Sequence, residues 1–567
     1  FTTLLGTFTT QLTGQKLNNT LLPLYADFKT FANNSNTNAT LSLVADNGIT
    51  QNAGASITTT AVTGKTGLVN ISMTANGNYQ GNTAASANSK GITLNAGITT
   101  NGSITLTGNN QSGATLGTGA GVYINRQTLN AGTSDVTITG TATNASGVFI
   151  NGDSAIRGRN IAINGTGTTT AAANSGIGVY LYRDATTTIA ATNNLEITGT
   201  VAGSGTGNGL RSNGGNVGTA VLMTAGGTAT LKGIQTGNPN NTSSAVYLSG
   251  FRVNATGNVT IQAEAANSNS LAIHMAREAG ALNGYDDAWR MQVRSSGGDV
   301  LIQSNQGAVL GQDANGGVNI SGRNVTLDNT GAGMTINGVA NANGGSINTT
   351  TGAITLGSGT STYSLAVSNG WAGSWVPLGV SLNGQNSTAS VTATGNLTIG
   401  GSSSAAQGVV IGTAMSVAGN INLAGSSANA ANNALDINAS LTSTGGNITL
   451  SADTLKIGAA VKAGSTGANT VTLKTVTAAK KIDIGSGTGV SGVDATGTLG
   501  LSSTELNFIT AGNLVVGDAT NTGGIKVSAA TTTNATTGNL TLLNGGNIAI
   551  DGALTVGGAT PTKNLTL

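Results

Sequence analysis

The 567-residue chain contains no cysteine, one histidine and four prolines. Without cysteine there is no disulfide framework and no thiolate metal site. A single histidine excludes zinc sites built from several imidazoles and any histidine relay repeated along the chain. Charged residues amount to 7% and the formal net charge is +2, so there is no basic field to grip nucleic-acid phosphates. No apolar run reaches the roughly 18 residues of a membrane-crossing helix. Eight Tyr, seven Phe and three Trp are too few for the aromatic girdles of a membrane barrel. No basic n-region followed by an apolar stretch opens the chain, so it reads as a mature or excised segment.

What is plentiful is glycine, 88 residues of it, together with Ala, Ser, Thr and Asn. Hydrophobic residues still reach 38%. They are mostly small aliphatics in a regular pattern, which separates the chain from disordered low-complexity sequences.

The pattern is a repeat. Its commonest unit is a glycine, then Asn, Ser or Asp, then two aliphatic positions flanking a polar one. Gly102-Ser103-Ile104-Thr105-Leu106, Gly257-Asn258-Val259-Thr260-Ile261 and Gly446-Asn447-Ile448-Thr449-Leu450 are examples. The period of two predicts short half-buried strands, and the Gly-Asn pair predicts a corner with positive φ. A second motif lies between these units: Gly121-Val122-Tyr123-Ile124, Gly147-Val148-Phe149-Ile150, Gly178-Val179-Tyr180-Leu181 and Ala245-Val246-Tyr247-Leu248. A third, weaker strand follows, as in Arg159-Asn160-Ile161-Ala162-Ile163. Successive units recur at roughly 24 to 34 residues, the range of solenoid repeats. Strands this short bury a face only when stacked coil on coil. The expected fold is therefore all-β, a right-handed parallel β-helix (β-solenoid) with a few long loop excursions. The expected core contains Val122, Ile124, Val148, Ile150, Val259, Ile261, Leu397, Ile399, Ile448 and Leu450. The best helical candidates are Leu21 to Phe31 and Leu271 to Ala281. Residues 1–40 read as an irregular start or edge coil, 41–375 as β-helix with Arg- and aromatic-bearing loops, and 376–567 as plain shaft.

Composition changes along the chain. All arginines lie between Arg126 and Arg323, and all three Trp fall where the repeat is stretched. Those stretches predict two loops leaving the helix. The expected ligand-binding residues are Arg277, Tyr285, Asp286, Asp287, Trp289 and Arg290 in the first, and Tyr363, Trp371 and Trp375 in the second. Aromatic rings and arginine carry much of the energy in known interfaces; the competing reading is that the rings anchor their own loops. Arg126, Arg183, Arg211, Arg252 and Arg277 follow the second strand of successive coils at variable offsets; one reading has them line one side as a basic stripe for acidic glycans, and the other has them as solvated charges interleaved with Asp153, Asp184 and Glu278. His274 reads as a hydrogen-bonded surface residue. No metal ligand set and no cofactor is expected.

Asp286-Asp287 is the only adjacent acid pair. Polysaccharide hydrolases need carboxylates converging on one bond. Neighbours on a strand point to opposite faces, so this pair cannot converge alone. A polysaccharide-degrading enzyme is the least favoured reading, and no catalytic residue is assigned.

Gly48-Ile49-Thr50-Gln51-Asn52-Ala53, the Gly-Asn-Ile-Thr-Leu units and the stretch from Leu499 to Val527 resemble filamentous-haemagglutinin-like surface proteins of Gram-negative bacteria. The nearest part reads Leu501-Ser502-Ser503-Thr504-Glu505-Leu506, then Ala511-Gly512-Asn513-Leu514-Val515-Val516-Gly517. The resemblance implies a non-enzymatic passenger of two-partner secretion, exported with an outer-membrane partner to the cell surface. It implies attachment to glycans or cell surfaces, aggregation or biofilm formation. A self-assembling fibre or sheath subunit with lateral self-association is the alternative. Neither nucleic-acid binding nor a membrane-spanning segment is expected. Asn238-Pro239-Asn240-Asn241 lies mid-chain and lacks the glycine of the family's secretion motif, so the chain reads as an internal passenger segment.

Overall fold

A computed structural model describes residues 31–567 except 34–35, 46–47, 62, 76–90, 112–118, 171–174, 204, 214–218, 238–242, 267–270, 277–290, 313–317, 324, 330–333, 339–345, 350–353, 357–379, 385–389, 394–395, 404–406, 413, 488–491, 496 and 558–562. The chain divides into two units, Phe1–Gly298 and Asp299–Leu567. Both are parallel β-helices.

In the first unit each coil carries three strands. A long strand comes first, as in Ile104–Asn110. A strand bearing the aromatic motif follows, as in Val122–Ile124. A third short strand, such as Thr128–Asn130, leads back to the next long strand at Val136–Thr143. Like strands pair in parallel from coil to coil, giving a long-strand sheet, an aromatic sheet and a short-strand sheet. Ile104 pairs with Val136, Val136 with Ile161, Ile161 with Leu195, Leu195 with Ala229 and Ala229 with Val259. Coil length varies between these pairs while strand register does not.

The interior is filled by columns of inward residues. Met73, Leu106, Ile138, Ile163, Ile197, Leu231 and Ile261 form one, each at most 1% exposed. Full burial of such side chains contributes about 1.5–3 kcal/mol apiece, so stability grows coil by coil. All ten core residues expected from the sequence are fully buried.

A glycine column lies where the long strands come closest to the aromatic strands. Gly108, Gly140, Gly165, Gly199 and Gly233 are in register along the long-strand sheet. A Cβ on Gly140 would stand 2.0 Å from the carbonyl oxygen of Gly147, and one on Gly165 2.0 Å from that of Gly178. The glycines that open three of the aromatic motifs, Gly121, Gly147 and Gly178, thus each face a glycine on the preceding long strand, and Ala245 stands in the same place against Gly233. Two backbones cross where no side chain fits.

The Gly-Asn corners differ from expectation in one respect. Gly102, Gly257 and Gly446 are not among the positive-φ residues. Glycine is required there for space: a Cβ on Gly102 would lie 2.4 Å from Val69 O, and one on Gly446 2.4 Å from Gly419 C. The asparagine next to it has its own task. In the second unit Asn396 Oδ1 accepts from Asn420 N at 2.8 Å and Asn420 Oδ1 from Asn447 N at 2.8 Å. Asn447 Oδ1 then accepts from Thr470 N at 3.0 Å. In the first unit Asn194 Oδ1 accepts from Thr228 N at 2.9 Å. At these corners the amide of one coil is satisfied by the asparagine of the coil before it.

The second unit repeats the three-sheet plan. Leu397 pairs with Ile421, Ile421 with Ile448 and Ile448 with Val471. The step from Val471 to Leu514 is longer. It holds two additional strands, Lys481–Ile484 and Thr498–Leu501, and the only helix among the described residues, Ser503–Asn507. The segment read from composition as plain shaft therefore contains its own excursion. The helix expected from Leu271 is instead the strand Leu271–Ala276, since Ile273 and Met275 point into the core and pair with Val246 and Leu248. Residues 277–281, and most of the other helical candidate, lie outside the described residues. No helix among the described residues is long and apolar enough to cross a membrane.

Candidate functional site

The aromatic sheet of the first unit places one outward residue of each motif in a single column. Tyr123 is paired with Phe149 and Phe149 with Tyr180. Tyr180 is paired with Arg211, Arg211 with Tyr247 and Tyr247 with His274. The flanking residues of each strand point inward, which forces the middle one onto the surface. Five steps of about 4.8 Å make the column about 24 Å long.

Its members touch. Ring centroids are 5.3 Å apart for Tyr123 and Phe149 and 4.9 Å for Phe149 and Tyr180, the latter pair edge to face. Tyr182 joins from the same strand, 5.7 Å from Tyr180 and 6.0 Å from Phe149. Phe149 is buried under its neighbours at 7% exposure, and the other rings are half-buried. The Arg211 guanidinium sits 5.4 Å from the Tyr180 ring and 5.6 Å from the Tyr247 ring, a cation held between two π faces. Tyr247 and His274 pack edge to face at 5.0 Å.

A row of amides runs beside the rings. Asn125 Nδ2 donates to Asn95 Oδ1 at 2.9 Å, and Asn151 Nδ2 to Asn125 Oδ1 at 3.1 Å. The Tyr123 hydroxyl donates to Asn125 Oδ1 at 3.0 Å. Burial pushes the Tyr123 phenol above its ordinary range, opposed by the hydrogen bond from Asn151. At the corner, Arg126 pairs with Asp184, and the buried Arg183 donates to Thr219 O at 2.9 Å and Ser249 Oγ at 3.1 Å. The strands Val122–Ile124, Ser146–Ile150, Ser175–Tyr182, Thr206–Asn213, Val246–Leu248 and Leu271–Ala276 contain no acidic residue. The arrangement offers ring faces for apolar patches and amides for hydroxyl groups, with a guanidinium set among the rings.

Arg277, Tyr285, Asp286, Asp287, Trp289, Arg290, Tyr363, Trp371 and Trp375 all lie outside the described residues. Of the arginines expected on one side, Arg211 is in the ring column and Arg126 and Arg183 are at its corner. Arg252 belongs to the short-strand sheet, paired with Gln292. His274 ends the ring column. The sequence carries the column's signal in the repeated Gly-Val-Tyr motif, but the variable loop lengths conceal that these rings are stacked.

No protein-family model, curated protein or solved structure matches this chain.

Proposed function

We propose that the chain is a segment of an extracellular bacterial adhesin of the filamentous-haemagglutinin kind, and that it attaches to surface glycans along the ring column. The observation that carries the reading is the in-register run Tyr123, Phe149, Tyr180, Arg211, Tyr247 and His274. Sugar rings present apolar faces edged with hydroxyls, and a row of aromatic rings flanked by amides matches both. A stiff repeat scaffold holds such a row at fixed spacing, so a polymer meets several equivalent positions at once. Export through an outer-membrane partner pore and a place at the bacterial surface belong to the same proposal.

The test is binding of the full chain to a panel of immobilised neutral and acidic polysaccharides and to cells, beside a Tyr180→Ala/Tyr247→Ala variant. Saturable binding that the variant loses while keeping its β circular dichroism supports the proposal. Undiminished binding by the folded variant moves the site elsewhere. Ordered filaments from the unliganded chain, with no glycan retained, favour the fibre alternative.

A further inference from the structure

The second unit contains two carboxylates that the glycan reading does not use. Asp494 is 5% exposed and Glu505 1% exposed. Both reach the same strand, Leu455–Ile457. In the preceding coil the equivalent amide of Leu435 donates to Thr454 O of the coil that follows. At Leu455–Ile457 that partner is missing, because the chain enters its excursion. Side chains fill the gap: Leu455 N donates to Asp494 Oδ2 at 3.0 Å, and Ile457 N to Glu505 Oε1 at 3.3 Å. Two carboxylates stand where strand carbonyls would be.

The surroundings are built for them. Glu505 Oε2 accepts from Ser502 N at 2.9 Å and Ser502 Oγ at 2.8 Å, closing a capping box on the short helix. Room comes from two glycines: a Cβ on Gly500 would lie 2.7 Å from Asp494 Oδ1, and one on Gly487 2.8 Å from Glu505 Oε2. Buried Asn433, from an earlier coil, accepts from Asp494 N at 3.4 Å and donates to Gly492 O at 3.1 Å.

We infer that Asp494 and Glu505 are a proton-operated clamp on this sheet edge, closed while Asp494 is protonated and loosened when its proton passes to solvent. A protonated Asp494 leaves one acid charge in the site and keeps an oxygen for Leu455 N. Ionised, it places a second buried charge facing Glu505. The charged groups around the pair are Lys480 near Asp494 and Lys456 near Glu505. Lys456 is also paired across the strands with Asp436, a third buried acid. These cations do not offset the loss of solvation. Burial first, and Glu505 after it, push Asp494 up to about 7, against the hydrogen bond from Leu455 N. Burial also raises Glu505 and Asp436. The clamp therefore works near neutral pH, and its existence does not depend on the glycan reading.

The experiment is hydrogen exchange of the full chain by mass spectrometry at pH 5.5 and 8.5, corrected for intrinsic rates. It follows a peptide spanning Leu455–Ile457 and a reference peptide spanning Ile161–Thr169 in the first unit. Protection of the clamp peptide is expected to fall tenfold or more at the higher pH while the reference peptide holds. Asp494→Asn, neutral at both pH values, is expected to abolish that difference. Equal protection of the wild-type clamp peptide at both pH values, a parallel fall in the reference peptide, or an unchanged fall in folded Asp494→Asn overturns the inference. Should Asp494→Asn not fold, the wild-type comparison decides alone.

Discussion

The guanidinium of Arg211 rests 5.4 Å from the centre of the Tyr180 ring, one coil away from it in the aromatic sheet. The ring holds the cation in place and leaves the aromatic column with a positive charge at its middle. If acidic glycans bind there, Arg211→Gln is expected to weaken them by about 5- to 30-fold, equivalent to about 1–2 kcal/mol. Neutral glycans should be affected far less. Titration calorimetry with matched acidic and neutral polymers at two salt concentrations measures the difference. Equal losses for both would mean that the arginine only supports its neighbours.

The glycine column gives a prediction about stability. Gly165→Val would drive a side chain into the backbone of Gly178, where even a Cβ would stand 2.0 Å from the carbonyl oxygen. Overpacking at such a site costs about 1–3 kcal/mol or more. A lower urea midpoint is expected, with the change confined to the first unit in hydrogen exchange. The column also indicates where relaxation is permitted: Gly233 is followed in register by Ala263.

Asn420 links three coils, donating its backbone N–H to Asn396 Oδ1 and accepting from Asn447 N. Asn420→Ala removes the acceptor for Asn447 at an exposed corner, where water partly replaces it. The expected loss is about 0.5–1.5 kcal/mol. Asn420→Asp keeps the oxygen and should restore most of it. Urea unfolding of the two variants separates the hydrogen bond from any other effect of the substitution.

Acidification should strengthen the second unit. Asp494 is raised to about 7, and Glu505 and Asp436 are raised in the same direction, all chiefly by burial. An unfolded aspartate titrates at about 3.9, so between about pH 4 and 7 the folded state holds more protons than the unfolded one. Stability must then fall as pH rises through that window and change little above it. The contribution of Asp494 alone is on the order of 4 kcal/mol. Asp135 and Asp518, held low by hydrogen bonds from Arg159 and Thr520, act in the opposite sense only below about pH 4. Thermal unfolding at pH 5 and 8, followed by circular dichroism, tests the sign. A midpoint higher at pH 8 would contradict it.

Alternation made the strands and core legible in the sequence, because Val122, Ile124, Ile448 and Leu450 have to be buried wherever their coils stand. Register was not legible. The offsets separating Tyr123, Phe149, Tyr180, Arg211, Tyr247 and His274 follow no fixed repeat, running 26, 31, 31, 36 and 27 residues. Only backbone pairing reveals one column. The pairing of Gly140 with Gly147 was hidden for a related reason: each glycine looks like a turn until its neighbour across the corner is known. Asp494 and Glu505 were missed because an acid in a polar, glycine-rich loop reads as solvated, whereas here it substitutes for missing main-chain acceptors. The aromatic loops singled out by composition fall outside the described residues, so that reading stands where the sequence left it.

The asparagine corners also set an order in time. Asn396 accepts from the coil that follows it, as do Asn420 and Asn447. A finished coil thus presents an oxygen whose donor belongs to chain that has not yet arrived, while its own amide is already satisfied by its predecessor. At these asparagine corners the two faces of a coil are chemically different, one offering a side-chain acceptor and the other a backbone donor. A chain delivered gradually from its N-terminus would meet, at every step, a prepared template ahead of it. Growth in that sense resembles a ratchet, with each arriving coil fixing the one before and readying the place for the next.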